Sequence, residues 1–566
     1  MQRRTFLTGL SGATASLVTR RRDGPLDGLG AATCHQRSAG DGGDQRVQVV
    51  TGHHDFDGLT VPADVALTFD PDVTTTITVT GNVVVEGTLR MRPARPDVVH
   101  TLRFCDVDES AYVGETGWPV PTDVGLWVIR RGVLDLRGTP RAGWNRLGWD
   151  PTWDPTDEVR RAPHSRGDHT HWRPQREWDR LPTVRGPDGR RHRTEAFNLT
   201  RNVVVEGAAG RRAHVLIASS APQSLRYALF RWLGPRRPAP GPPSFHHFSA
   251  PPGVLPEAEY PANYFSAQNF PDTEPVLSRY PVHFHHCHDG SRGSVVEGCV
   301  VRDSSRAFVP HASSGITFRD CVAFGIIDDA YWWDDAEATD DLVWDHCAAF
   351  DVRSDPVTRG MPAGFVLGVG QRMVVRDCVA AGVRGGEHAS GFHWPAFANH
   401  APHNVWESTD LVAHNCAGDG VYIWQDDDHR HHVQRLVSYR NSGSGLVHGA
   451  RRNAYRLDDI VLFDNDVTDL WHQALSTGEV VRGRDQTWFG LQAPRMLIGG
   501  HPQSSDRAVP FYGARLGHVT VGEDGLGRGH YELHADLELT DFTAVVLRSL
   551  VTVVRSDGTT FDLPNR

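Results

Sequence analysis

The sequence predicts an all-β fold, its central part wound as a right-handed parallel β-helix, and three observations point there. Glycine (57) and proline (36) are plentiful among the 566 residues, methionine is scarce (5) and long amphipathic apolar stripes are few, which favours many short strands joined by turns. A short cysteine-bearing phrase recurs along the middle of the chain. Around its copies lie β-branched runs and segments in which apolar and polar residues alternate, the period of a strand.

In chain order, residues 1–45 are expected to be an export signal and linker. Met1-Gln-Arg-Arg-Thr-Phe-Leu and the apolar stretch to Val18 read as a twin-arginine signal, with cleavage near Ala15 or Ala32. That predicts a bacterial protein secreted or held at the cell surface. No later segment has the roughly 18 apolar residues of a membrane span. Residues 46–195 show Val/Thr strands broken by glycine, and Val-Val-Val-Glu-Gly at 83–87 is echoed at 203–207, as expected of β-structure continuous with a solenoid. A long His/Trp/Arg-rich insertion runs from Trp149 to Arg193. Residues 196–475 are read as the β-helix proper, interrupted by a Pro-rich loop from Pro235 to Thr273 that should lie over its groove. Residues 476–566 should supply the last coils and a cap.

The repeat sets the coils. Cys299, Cys321, Cys347, Cys378 and Cys416 sit in the phrases Glu-Gly-Cys-Val, Arg-Asp-Cys-Val, Asp-His-Cys-Ala, Arg-Asp-Cys-Val and His-Asn-Cys-Ala, spaced 22, 26, 31 and 38 residues apart. Equivalent residues of successive coils stack about 4.8 Å apart, so a repeated inward cysteine becomes an interior ladder. A metal site is disfavoured because no CxxC spacing occurs and the five would lie in a line. Cys34, Cys105 and Cys287 are left unassigned.

After each phrase comes a second strand with unusual chemistry. Because strand side chains alternate, Tyr280, Val282 and Phe284 are expected to point inward while His283 and His285 face out, about 7 Å apart. The same parity turns Tyr422, Trp424 and Asp426 outward beside inward Val421 and Ile423. In register, these residues should line a groove rich in His, Trp, Tyr and carboxylate. Aromatic faces stack on sugar rings, and glycosidic cleavage generally uses two carboxylates. The expected catalytic groups are Asp334 and Asp335, then Asp328 and Asp329, with His285; Asp426 to Asp428 stand third. The expected substrate contacts are Arg306, Trp332, His393, Trp394, Tyr422, Trp424 and Asp426. His283, His285 and His311 form either an open three-ligand metal site, for calcium or zinc, or a hydrogen-bonded histidine stack. Parity leaves Trp332 versus Trp333 undecided.

Several of these phrases together resemble one family. Arg279-Tyr-Pro-Val-His-Phe-His, Asp303-Ser-Ser-Arg-Ala-Phe-Val-Pro-His and the Tyr331 to Asp335 segment are similar to the β-helix of proteins related to the cell-migration-inducing hyaluronan-binding protein, the transmembrane hyaluronidase and the fibrocystins. Upstream, the run from Gly132 to Leu147 resembles the end of that family's eight-glycine domain, and Phe197-Asn-Leu-Thr-Arg-Asn-Val-Val-Val-Glu-Gly its entry into the β-helix. The resemblance covers roughly residues 46 to 475. It implies an N-terminal eight-glycine β-rich domain before the β-helix, with hyaluronan binding or endo-hydrolysis as the activity class of some relatives. Trp-Trp-Asp-Asp at 332–335 departs from the family's aromatic pair followed by Glu-Asp-Gly.

Charge narrows the partners. The net charge of −11 argues against a general nucleic-acid binder, which needs a strongly basic face. All 58 Lys/Arg positions are arginine, so no lysine base is available. The expected partner is an acidic extracellular polysaccharide, cut by hydrolysis; the alternatives are a noncatalytic adhesion scaffold and a polysaccharide lyase. Oligomeric state is left open.

Overall fold

The computed structural model describes residues 45–114, 116–175, 180–238, 273–333, 339–353, 362–385, 389–394, 406–423, 430–450, 454–474, 487–500, 508–512, 515–521, 530–534, 541–544, 550–554 and 557–562. They form a parallel β-helix in which each coil contributes strands to three parallel ladders, here the first, second and third faces. On the first face Val133–Arg137, Ser224–Arg226, Val295–Glu297, Thr317–Arg319, Val343–Asp345 and Met373–Arg376 pair in succession. The second face carries Val203–Glu206, Ala228–Arg231, Val300–Arg302, Val322–Ile327, Ala348–Arg353 and Val379–Ala381. The third carries Leu126–Arg130, Val215–Ser219, Val282–His288 and Phe308–Ser313, then Ala363–Val366, Ser390–Trp394, Asp419–Ile423 and Leu446–Ala450.

The ladders begin well before residue 196. Arg46–Val50, Val65–Phe69 and Thr88–Met91 lead into Val133–Arg137 on the first face, while Thr75–Val79 and His100–Phe104 lead into Val203–Glu206 on the second. Residues 46–137 are therefore wound as the opening coils of the same solenoid. At the other end the parallel ladders reach Leu550–Val554, against which Thr560–Asp562 pairs antiparallel. Among the described residues no helix is long and apolar enough to cross a membrane.

One corner explains the cysteine phrase. The residue before each cysteine takes a left-handed backbone conformation that turns the chain from the first face to the second: Gly298 (φ 59°), Asp320 (51°), His346 (51°) and Asp377 (48°). Glycine, aspartate, asparagine and histidine tolerate this region better than other residues, which is why the phrase reads Gly-Cys, Asp-Cys or His-Cys. The cysteine then points into the core, where Cys299, Cys321, Cys347 and Cys378 are fully buried and unbridged. They stack rung on rung, since the N–H after each donates to the carbonyl of the cysteine below, as Val322 does to Cys299 (2.9 Å) and Ala348 to Cys321 (2.8 Å).

Cys416 departs from the expected ladder. Val379 is opposite Val412, so the rung after Cys378 is filled by Leu411, preceded by the left-handed Asp410 (φ 58°). Cys416 is equally buried but sits at the next corner, where its N–H donates to Asn441 Oδ1 (3.0 Å) and Asn441 in turn donates to Asn465 Oδ1 (2.9 Å). The ladder thus continues in register through a leucine, and the 38-residue spacing joins two different corners.

The insertion and the segments flanking it cover the second face. Trp144, Phe197 and the half-buried Trp172 pack on Val322, Phe324, Ala348, Phe350, Val379 and Ala381, an outward apolar stripe that would otherwise be bare. A buried polar tie holds it: Glu195 accepts from Arg146 (2.9 Å) and lies 2.7 Å from His414 Nε2. The third face is consequently a separate surface from the one the insertion occupies.

Candidate functional site

The third face aligns the residues singled out by alternation. Val282 and Phe284 point into the core and His283 and His285 out of it. Register places His285 opposite His311, and His283 opposite Val309. Farther along, Val366, His393, Tyr422 and Val447 succeed one another on adjacent rungs.

The three histidines converge. One ring nitrogen from each of His283, His285 and His311 lies within 4.8 Å of the others. They are 0%, 7% and 7% exposed, so the outward face of the strand is roofed over here. His283 Nδ1–H donates to the Ser278 carbonyl (3.0 Å), which orients the ring and leaves Nε2 toward the group. Among the described residues His283 Nε2 and His285 Nδ1 have no hydrogen-bond partner. Burial, and then the neighbouring imidazoles, push His285 down to about 3 and His283 well below the usual histidine range; burial with His286 and His288 pushes His311 down to about 4. Three buried neutral imidazoles, one braced by a backbone carbonyl, have the chemistry of metal ligands. The donor set is all nitrogen, suited to zinc or a similar transition metal and unlike the oxygen cage calcium takes.

Beside the triad lies a second cluster. Tyr280, expected inward, instead turns outward, its ring 4.8 Å from that of His283. The cause is local: the strand begins only at Val282, so alternation does not extend back to residue 280. The Arg306 guanidinium lies 3.6 Å over the Trp332 ring, donates to Tyr280 Oη (3.1 Å) and pairs with Asp328 (2.8 Å). Asp329 accepts from the Ala363 N–H (2.9 Å). Asp328 and Asp329 are thus both buried in structural contacts, and Trp332 is 6% exposed beneath Arg306.

Other expectations resolve differently. His393 and Tyr422 meet on the outward face, rings 5.4 Å apart, both buried. Trp394 points into the solenoid core and is fully buried, which takes it out of the groove, because it follows outward His393 by one residue. Trp333 lies outward with Trp332, packed so closely that a Cβ on Gly368 would overlap its ring. Asp334, Asp335, Trp424, Asp426, Asp427 and Asp428 fall outside the described residues, as does the Pro-rich loop across 239–272.

Alternation could not reveal the wall of this site. Gly117 lies against the His285 ring, where a Cβ would come within 3.3 Å. Its loop is held by Arg279, which pairs with Asp123 (2.7 Å) and donates to the carbonyl (2.9 Å) and hydroxyl (3.0 Å) of Thr116. These partners are 156 and 163 residues apart in sequence, so no local pattern announces them.

The fold and site together define a parallel β-helix with a buried histidine cluster on one outward face. Residues 271–405, the segment that carries the triad and the Arg306 cluster, match the family model described as the CEMIP beta-helix. No curated protein matches the chain.

Proposed function

We propose that this protein binds an acidic polysaccharide along the third face of its β-helix and cleaves it by hydrolysis, with His283, His285 and His311 holding a divalent transition metal. The observation that carries the reading is the convergence of three buried, neutral imidazoles within the segment similar to the CEMIP beta-helix. A metal bound there would supply Lewis-acid polarisation or a water of lowered pKa. The chain's own residues would do the rest: Ser278 orients His283, the Thr116 to Trp118 loop excludes water from one side, and Arg306 fixes Tyr280 and Trp332. Asp334 and Asp335, which follow Trp333, remain the proposed carboxylates for acid/base work. A hyaluronan-like substrate, export from the cytoplasm and an eight-glycine identity for residues 46–195 belong to the same reading, supported by the resemblances of sequence at Arg279 to His285, residues 1–18 and residues 132–147.

One observation favours the scaffold alternative: Asp328 and Asp329 are both engaged in structural contacts, so no described carboxylate of the expected set is left for catalysis. The test is incubation of the purified protein with a panel of acidic polysaccharides, with and without chelator, following polymer size and ultraviolet absorbance together. Hydrolysis predicts shortened chains without absorbance, lost on chelation and in His285→Ala. That variant should also weaken zinc binding by about a hundredfold or more in titration calorimetry. An absorbing unsaturated product would make the protein a lyase, and an intact but bound polymer would make it a scaffold.

A further inference from the structure

We infer that Trp118 and Arg237 form a sugar-binding subsite at the mouth of the histidine pocket, Trp118 stacking on a pyranose ring and Arg237 meeting its carboxylate. This rests on the reading above, that the third face takes an acidic polysaccharide. A glycan platform must face solvent, and both described tryptophans expected to serve are shut away, Trp332 at 6% and Trp394 at 0% exposure. Among the described residues Trp118 is the one tryptophan more than a third exposed, at 63%. Its position is not accidental to the site, because the preceding residue, Gly117, rests on the His285 ring.

The loop is built to hold that indole out. Asp123 accepts from the N–H groups of Val113 (2.8 Å) and Gly114 (2.9 Å) while pairing with fully buried Arg279. Thr116 Oγ1 donates to the Trp118 carbonyl (3.0 Å) and is itself gripped by Arg279. An exposed aromatic on a braced backbone loses little entropy on binding, which suits a sugar platform. Arg237 reaches the same loop, donating to the Val113 carbonyl (3.1 Å) at the surface. That contact places a cation on the loop that carries the indole, and a guanidinium recognises a uronate carboxylate by a planar pair of N–H groups.

The test is titration calorimetry with a hyaluronan decasaccharide, and with alginate and polygalacturonate oligomers of the same length, using the full chain. Trp118→Ala should weaken binding of the preferred oligomer about tenfold, with Trp118→Phe recovering much of it. Arg237→Gln should weaken it while reducing its dependence on salt, and Leu147→Ala, an exposed apolar residue just before the insertion, should leave it unchanged. If the oligomer is also cut, Trp118→Ala should raise KM and spare kcat. Unchanged affinity in Trp118→Ala overturns the subsite while the polysaccharide reading stands, and so does an effect confined to self-association or vesicle binding. Wild-type protein that binds none of the three oligomers overturns both.

Discussion

Arg279 and Asp123 are each fully buried, and the guanidinium also lies 4.6 Å over the ring of Trp127. Such a pair is costly to break from one side, because the remaining charge stays in the interior without compensation. Arg279→Ala is therefore expected to destabilise the protein by about 3–5 kcal/mol in denaturant unfolding. Arg279→Lys should recover only part of this, since an ammonium cannot match the fork that grips both Asp123 and Thr116. A loss in Arg279→Ala no larger than that of an exposed substitution would mean the loop is held by other contacts. The same residue shows where sequence reading ends at this scale. The alternation of Val282, His283, Phe284 and His285 is legible because a strand imposes it, whereas Arg279 and Tyr280 precede the strand and obey partners far along the chain.

At the scale of the coil, the corner between the first and second faces repeats one backbone conformation with changing side chains. Asp410, Arg435 and Asp459 continue the left-handed series beyond the cysteines. Asp459 is exposed, with φ 54°, and glycine already serves the next rung at Gly490. Asp459→Gly should thus be tolerated, while Asp459→Val should cost about 1–3 kcal/mol, because a β-branched residue is strained there. Thermal melts of the two variants check this, and equal melting would show that the corner does not select its residue. This repeat was readable from the phrases around Cys299 to Cys378, since a turn needing positive φ restricts its residues. At Cys416 the phrase misleads, because His-Asn-Cys-Ala imitates it at a different corner while Leu411 occupies the rung. The groove aromatics were legible as positions but not as exposures: parity leaves Trp332 and Trp333 undecided, where the structure turns both outward, and says nothing of the arginine lying over Trp332.

Across the whole molecule, the interior carries titratable groups along with its aliphatic ones. His448 and His472 stack within the C-terminal core, rings 5.1 Å apart, and pack edge-on to Trp488. Burial holds His448 well below the usual range and His472 at about 4. Their folded pKa values are depressed, so the unfolded chain binds protons first as the pH falls, and stability is lost from the ordinary histidine value near 6.5 downward. For His472 alone that loss reaches roughly 3 kcal/mol by pH 4. The expected result is a melting temperature level above pH 7 that drops between pH 6.5 and 4, with a shallower drop when both are changed to Gln. An identical profile in that double variant would assign the acid sensitivity elsewhere.

The single antiparallel pairing at the end of the ladders has a consequence for assembly. A parallel β-helix ends in an open row of backbone donors and acceptors, onto which another solenoid could dock in the same direction. Thr560–Asp562 runs the opposite way along Leu550–Val554, and Thr560, Phe561 and Asp562 are exposed. Among the described residues this edge is thereby presented with reversed polarity, in a strand of only three residues ending in a charge, which makes it a poor template for a further parallel strand.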